Sequence, residues 1–252
     1  MKEVVRLIEK NVAEKKIDAF QGLNVLLDFL VDLFDVGHYN GNWMEYVARR
    51  KNEEPTLFKI CIIWMERVSD ALDKGTWLDF FGCIYEELFQ SKYKASKIGQ
   101  FFTPAAVCDL LAKCTTIRNN ERIHVNDCAC GSGRTLLAQF AVDKYPSKAY
   151  YIADDIDEVS VKMCALNMMM HGMRGKVVQH DTLTNPVFYD LGYEINEVRY
   201  PMPTPYYSLR KIKYTKEDLG RDNKRVARRF GNNVVEKVIP NDREAVKVLH
   251  PK

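Results

Sequence analysis

Three aspartates and one glycine-rich turn hold the chemistry this sequence could perform. Asp127-Cys128-Ala129-Cys130-Gly131-Ser132-Gly133 closes an apolar run and opens a helical pattern. Small residues at such a junction let the backbone approach a ligand closely, and the helix start behind them offers unpaired N–H groups. The two glycines are not a complete dinucleotide fingerprint, because Leu136 stands where the third glycine would fall, and the Gly-Lys-Ser/Thr of a phosphate loop is missing. Two further acidic positions strengthen the pattern. Asp154-Asp155-Ile156-Asp157 ends a second apolar run, with Asp155 22 residues after Gly133 (155 − 133), and a carboxylate there can accept both hydroxyls of a ribose. Asp181 ends a third run, where an adenine edge would fall. Each acid alone reads as a helix cap or a solvated loop residue. At three consecutive strand ends they point to an adenosine-type ligand.

Such a site needs a parallel sheet behind it, and the hydrophobic pattern supplies one. A strand around Ile123 and Val125 leads through the glycine turn into a helix from Thr135 to about Tyr145. Tyr150 to Asp155 is a second strand, Val159 to His171 a second helix with Gly172 as its C-cap, and Val177 to His180 a third strand. Strand, helix, strand, helix, strand at this spacing implies right-handed crossovers and a ligand at the carboxyl ends of the strands. Thr103-Pro104 marks a further helix start, hydroxyl cap then Pro, running to about Cys114.

The first ~95 residues carry apolar stripes at helical spacing. These are Val4 to Ile8, Phe20 to Phe34, Leu57 to Val68 and Trp77 to Phe89, with Gly37 to Trp43 as a loop. Beyond Asp181 the pattern weakens. Tyr193, Ile195, Val198 and Tyr200 form a ragged strand, Pro201, Pro203 and Pro205 a loop, Leu219 to Phe230 a short helix and Val234 to Ile239 a strand. The chain divides into a helical region, 1–97, an α/β domain, 98–209, and a basic extension, 210–252.

Composition bounds the class. The 252 residues are 46% hydrophobic and 28% charged, which excludes a disordered chain and a disulfide-stapled mini-protein. Seven cysteines, an odd number set mostly in apolar patterns, suit reduced, buried thiols; Cys128 and Cys130 lack partners at zinc spacing, so no metal is expected. No signal peptide or membrane span is read, and a cytoplasmic protein follows. The net charge of +3 is uneven: residues 210–252 hold 13 Lys+Arg against 6 Asp+Glu, or +7, and the rest carries −4.

The motifs also resemble a family. Gly99-Gln100-Phe101-Phe102-Thr103-Pro104 is similar to the G-Q-[FY]-[FY]-T-P motif of N6-adenine DNA methyltransferases, above all the modification subunits of type I restriction systems. Asp127 to Gly133 resembles their D-P-A-C-G-S-G, with Cys128 for Pro, and His180-Asp181-Thr182-Leu183 resembles G-D-T-L, with His for Gly. Asp155-Ile156-Asp157 resembles their second-strand acidic motif, so the likeness spans roughly Gly99 to Phe188. It implies a Rossmann-like methyltransferase fold with a helical N-terminal region and S-adenosyl-L-methionine (SAM) as cofactor. Phe102, Thr103, Pro104, Asp127, Ala129 and Gly131 would then border its methionine end. Asp155 would hold the ribose, Ile156 would pack on the adenine and Asp181 would bind the adenine amino group.

The family's acceptor motif, Asn-Pro-Pro-Phe/Tyr after a fourth strand, is not found. In the family it accepts the amino hydrogens of a flipped-out adenine and stacks on its ring. Two stretches imitate it: Asn185-Pro186-Val187-Phe188, only four residues after Asp181 and therefore trailing the third strand, and the Pro- and Tyr-rich stretch containing Tyr206. About 60 residues follow Phe188, few for the rest of such a sheet and a recognition domain. Two readings stand: a methyltransferase acting on adenine N6 in DNA, with a specificity or other restriction-modification subunit as partner, or a non-catalytic SAM-binding relative with a degenerate acceptor site. The basic tail, with Lys224-Arg225 and Arg228-Arg229, would meet DNA phosphates in the first.

Overall fold

The computed structural model describes residues 1–38, 43–89, 102–115, 123–143, 148–183, 188–197, 207–218 and 221. Among the described residues, five α-helices come first: α1 (Lys2–Lys15), α2 (Ala19–Phe34), α3 (Trp43–Glu53), α4 (Pro55–Asp73) and α5 (Phe80–Phe89). Asp18 starts α2 as a capping box: its carboxylate accepts the Gln21 amide at 2.8 Å, and the Gln21 side chain accepts the Asp18 amide at 3.0 Å. The expected stripes become the core. Leu23, Leu26, Leu27 and Leu30 of α2 are fully buried, and Trp64 of α4 meets Phe34 and Phe81 with ring centroids at 5.9 and 5.0 Å.

Two helical details differ from the sequence reading. Trp43–Glu53 is helical, yet it buries no residue and so carries no apolar stripe to read. The fourth stripe begins its helix at Phe80, not Trp77. The Trp77 indole instead donates to Asp109 at 2.8 Å, and Asp79 caps α5 by accepting the Gly82 amide at 2.9 Å.

Among the described residues, three more α-helices and five strands follow: α6 (Ala105–Thr115), β1 (Ile123–Asp127), α7 (Arg134–Val142), β2 (Ala149–Asp155), α8 (Glu158–Met170), β3 (Gly175–Gln179), β4 (Tyr189–Ile195) and β5 (Leu209–Tyr214). The sheet order is β1-β2-β3-β4-β5. The first three strands are parallel, as their crossover helices require, with Asp127 opposite Ala153 and Asp155 opposite Gln179. β4 and β5 then add antiparallel. The ragged strand expected around Tyr193 is β4, which starts at Tyr189, ends at Ile195 and pairs with β5 through an irregularity between Tyr189 and Gly192; Val198 and Tyr200 lie outside the described residues. Asn196 stops it in the left-handed region, φ 55°, and its amide group donates to the Met169 and Met173 carbonyls at 3.1 and 2.7 Å. The expected helix over 219–230, apart from Arg221, and the strand over 234–239 lie outside the described residues. Among the described residues, no helix is long and apolar enough to cross a membrane.

One helix joins the two halves. α8 packs on β2, β3 and β4 and also on α2 and α5, so it is buried on all faces from Val159 to Met170. Its buried Lys162 ammonium pairs with Asp28 of α2 at 2.5 Å and with Glu158 at 2.6 Å. The helix closes as expected on Gly172, φ +73°. Just before it, buried His171 accepts the Leu78 amide through Nε2 at 3.2 Å and donates from Nδ1 to the Asn167 carbonyl at 2.7 Å. Acceptance at Nε2 requires a neutral ring, and the two bonds together fix the Nδ1–H tautomer. One large hydrophobic core runs through the helical region and the sheet, and a small separate cluster, Cys108, Ala112 and Ala138, joins α6 to α7.

Two predictions follow from this packing. Burial lowers the His171 pKa from 6.5 to about 4. Between these values the unfolded chain binds the proton and the folded one does not, so stability is lost as pH falls below 6.5. Urea unfolding at pH 7 and pH 4.5 should differ more for the native chain than for His171→Gln, by on the order of 2 kcal/mol. The second concerns Gly133, which sits at φ +86° where a Cβ would lie 2.8 Å from the Cys164 sulfur. Gly133→Ala should cost about 2 kcal/mol in unfolding free energy. Adding Cys164→Ala should recover the steric part and leave about 1 kcal/mol of backbone strain, read as a coupling energy in a double-mutant cycle.

Candidate active site

The carboxyl ends of β1, β2 and β3 meet around the turn between β1 and α7. A parallel sheet ends there with its strand-terminal residues side by side. Gly131 and Gly133 both take positive φ, 52° and 86°, which lets the turn double back into α7. The Cys130 amide donates to the Asp154 carbonyl at 3.0 Å, which lashes the turn to the end of β2.

Asp155 is the center of this arrangement. One carboxylate oxygen accepts the Gly131 amide at 2.8 Å and the other accepts the Asp157 amide at 2.9 Å. Burial raises its pKa, the two amides oppose that shift, and the neighbouring Asp157 and Asp127 charges add to it. Each oxygen takes one amide and has a second lone pair for a further donor. Ile156 beside it is 67% exposed, an apolar side chain at the mouth of a polar site, while its carbonyl accepts the Gln179 amide group at 3.1 Å.

Asp127 faces its own turn. It accepts the Ala129 amide at 3.2 Å and a short bond from the Thr135 hydroxyl. Asp181 accepts the Leu183 amide at 3.0 Å, and the Thr182 hydroxyl reaches the Cys128 carbonyl at 3.4 Å, which closes the third strand end onto the first. His180, in place of the glycine in the resembling motif, meets Asp154 at 3.2 Å. Cys128 is exposed and Cys130 buried, so the two thiols do not face one ligand.

Phe102 covers the turn from the other side. A Cβ on Gly131 would lie 3.1 Å from its ring, and Tyr85 meets that ring edge-on with centroids at 5.3 Å. Thr103 and Pro104 depart from the expected cap. α6 starts at Ala105, and the Pro104 carbonyl accepts the Val107 and Cys108 amides at 2.9 and 3.1 Å, so Pro104 holds the position before the helix. Thr103 contributes its carbonyl, which accepts from Arg134 at 3.1 Å.

Sequence reasoning missed the residues that hold the turn in place. Arg134, first in α7, donates from Nε to Asp79 at 2.8 Å and from both terminal nitrogens to Glu86 at 3.1 and 3.2 Å. Buried Asp79 also accepts the Ser132 hydroxyl at 2.6 Å and the Asn167 amide group at 2.8 Å. These partners are 31 to 88 residues from one another in sequence along each bond, and local periodicity carries no signal of such contacts. The one local hint was an arginine and an asparagine at positions that a helix buries.

Of the proposed acceptor residues, Asn185, Pro186 and Tyr206 lie outside the described residues. Phe188 directly precedes β4, and because β4 is antiparallel to β3 it stands at the same end of the sheet as Asp181. Its ring stacks on Tyr214 of β5, centroids 6.4 Å apart.

The chain is similar to known proteins over much of its length. Residues 77–242 match the family described as N-6 DNA Methylase. Over 122 residues the chain is 30% identical to the type I restriction enzyme MpnII methylase subunit of Mycoplasma pneumoniae, covering 46% of this chain and 22% of that protein. It is 31% identical over 119 residues to the type I restriction enzyme EcoEI methylase subunit of Escherichia coli, covering 42% and 24%. A solved type I restriction-modification methyltransferase subunit from Streptococcus thermophilus aligns over 75% of this chain and 62% of its own at 13% identity and a TM-score of 0.37. The chain spans less than a quarter of the two curated relatives. With two thirds of its length matched, from the Trp77 that precedes the Asp79 cap to beyond β5, the chain belongs to the N-6 DNA methylase family.

Proposed function

We propose that this chain binds SAM across the ends of β1, β2 and β3 and serves the transfer of its methyl group to adenine N6 in DNA. The observation that carries this reading is the Asp155 carboxylate. It is fixed by two amides and has a lone pair on each oxygen for a pair of adjacent hydroxyls, with exposed Ile156 next to it for a flat ring. The residues fit the cofactor. Asp155 would hold the ribose, Ile156 would cover the adenine and Asp181 would meet its amino group. Phe102, Thr103, Pro104, Asp127, Ala129 and Gly131 would enclose the methionine end. Carboxylates at this strand end attract a cationic ligand in a partly dry site. Bound SAM supplies an electrophilic methyl on a sulfonium center. The protein's part is to hold that methyl in line with the acceptor nitrogen, which contributes much of the acceleration in such a transfer.

Asn185, Pro186, Phe188 and Tyr206 are the proposed acceptor residues, and DNA and a restriction-modification partner subunit are the proposed partners. Arg210, Lys211 and Lys213 on β5 begin the basic segment that would contact phosphates. A second reading, a SAM-binding relative without turnover, draws support from β4. The strand after Asp181, β4, adds antiparallel to β3, and among the described residues no strand stands on the far side of β1.

Calorimetric titration tests the shared claim. The native chain should bind SAM, and Asp155→Ala should weaken binding about 10- to 100-fold, as loss of hydrogen bonds to a charged acceptor does. No binding by the native chain, or equal affinity in Asp155→Ala, overturns the assignment. Label transfer from methyl-tritiated SAM to unmethylated DNA separates the two readings. Incorporation that survives both Asn185→Ala and Tyr206→Ala would remove these residues from the acceptor site.

A further inference from the structure

We infer that Asp79, Glu86 and Arg134 are positioning residues of the cofactor turn, through which the helical region sets the shape of the site without touching the ligand. The inference rests on the SAM reading for its functional consequence, but its geometry is independent of it. Arg134 directs four N–H bonds to three places: Asp79, both oxygens of Glu86, and the Thr103 carbonyl. The planar guanidinium lies over the Phe102 ring at 5.5 Å. Phe102 in turn rests on Gly131, whose amide binds Asp155. A chain of direct contacts therefore runs from Glu86 on α5 through Arg134 and Phe102 to the Asp155 carboxylate.

Asp79 fixes the other flank. It takes the Ser132 hydroxyl and Asn167 amide group, and Asn167 also donates to the Ser132 carbonyl at 2.9 Å. Both polar ends of Ser132 are thereby tied to residues outside the turn. Gly82 is required for this approach, since a Cβ there would fall 1.9 Å from Asp79 and 2.7 Å from the Ser132 hydroxyl. Burial opposes the Arg134 charge, and Glu86 and Asp79 overcome it and raise its pKa. Arg134 thus stays charged through the physiological range. A lysine, with one point charge, cannot make the fork to Glu86 and reach the Thr103 carbonyl together.

Glu86 is the member best suited to a test, because its side chain is 27% exposed and its loss leaves Asp79 paired with Arg134. Glu86→Gln and Arg134→Lys should be compared with the native chain by thermal unfolding, by amide exchange without ligand, and by SAM titration. In Glu86→Gln the melting temperature should stay close to native. The Gly131 and Gly133 amides, bonded to Asp155 and to the Cys130 carbonyl, should exchange about tenfold faster while those of Leu26 to Leu30 in α2 do not change. SAM affinity should fall about tenfold, and Arg134→Lys should likewise show faster exchange at both glycines and weaker SAM binding than the native chain. Native exchange at both glycines in a folded Glu86→Gln chain overturns the inference. If the native chain binds no SAM, the cofactor reading fails, and the exchange comparison still decides the positioning role.

Discussion

A carboxylate buried away from water is stable only if the protein replaces the hydrogen bonds it gave up, and Asp79 draws that replacement from four separate elements. The Gly82 amide of α5, the Ser132 hydroxyl of the glycine turn, the Arg134 guanidinium of α7 and the Asn167 amide group of α8 fill its two oxygens. Burial raises its pKa, and the Arg134 charge, with the Ser132 and Gly82 bonds, opposes that shift. Removing one partner from such a pair costs about 3–5 kcal/mol, because the other is left as an uncompensated charge. Helical region, turn and sheet are therefore not independent parts. They share one core and one polar node, and the node sits directly behind the turn.

The site's chemistry follows from that support. A glycine turn is a good ligand cradle because its backbone is exposed and unhindered, and for the same reason it has little packing of its own to define its shape. Here the shape comes from outside. Phe102 presses on Gly131, Ser132 is pinned by Asp79 and Asn167, and Asp155 and Asp154 draw Gly131 and Cys130 to β2. The acids at the ends of β1, β2 and β3 then stand in fixed relation, an arrangement suited to a ligand with hydroxyls, a flat ring and a positive charge.

Much of the fold was legible because it obeys local periodicities. The short apolar run Tyr150 to Ala153 ahead of two acids is that of a buried strand, and the stripe Leu23, Leu26, Leu27, Leu30 is that of a helix against a core. Elements without such contrast were harder to read. Trp43–Glu53 buries no side chain, and the boundary at Phe80 depends on Asp79 being held by distant donors. β4 and β5 are a hairpin-like pair whose direction no alternation reveals, since period two is the same in a parallel and an antiparallel strand. The site divides in the same way. Asp127, Asp155 and Asp181 announced themselves by standing at strand ends, whereas Glu86 and Asn167 lie inside apolar helices and resemble ordinary helix residues.

What the sequence by itself determined is the order of chemistry along the chain: glycine turn, three acids at successive strand ends, and the motifs of an adenine methylase family. These are local because a strand end and a helix start are built by neighbours in sequence. Only the tertiary structure decided how Thr103 serves through its carbonyl, which residues brace the turn, and that the fourth strand turns back along β3. Each of these depends on groups brought together from distant positions, as when Asp79 meets Asn167 88 residues away. Such meetings are selected by burial and hydrogen-bond satisfaction in the folded core, and no window of sequence contains them.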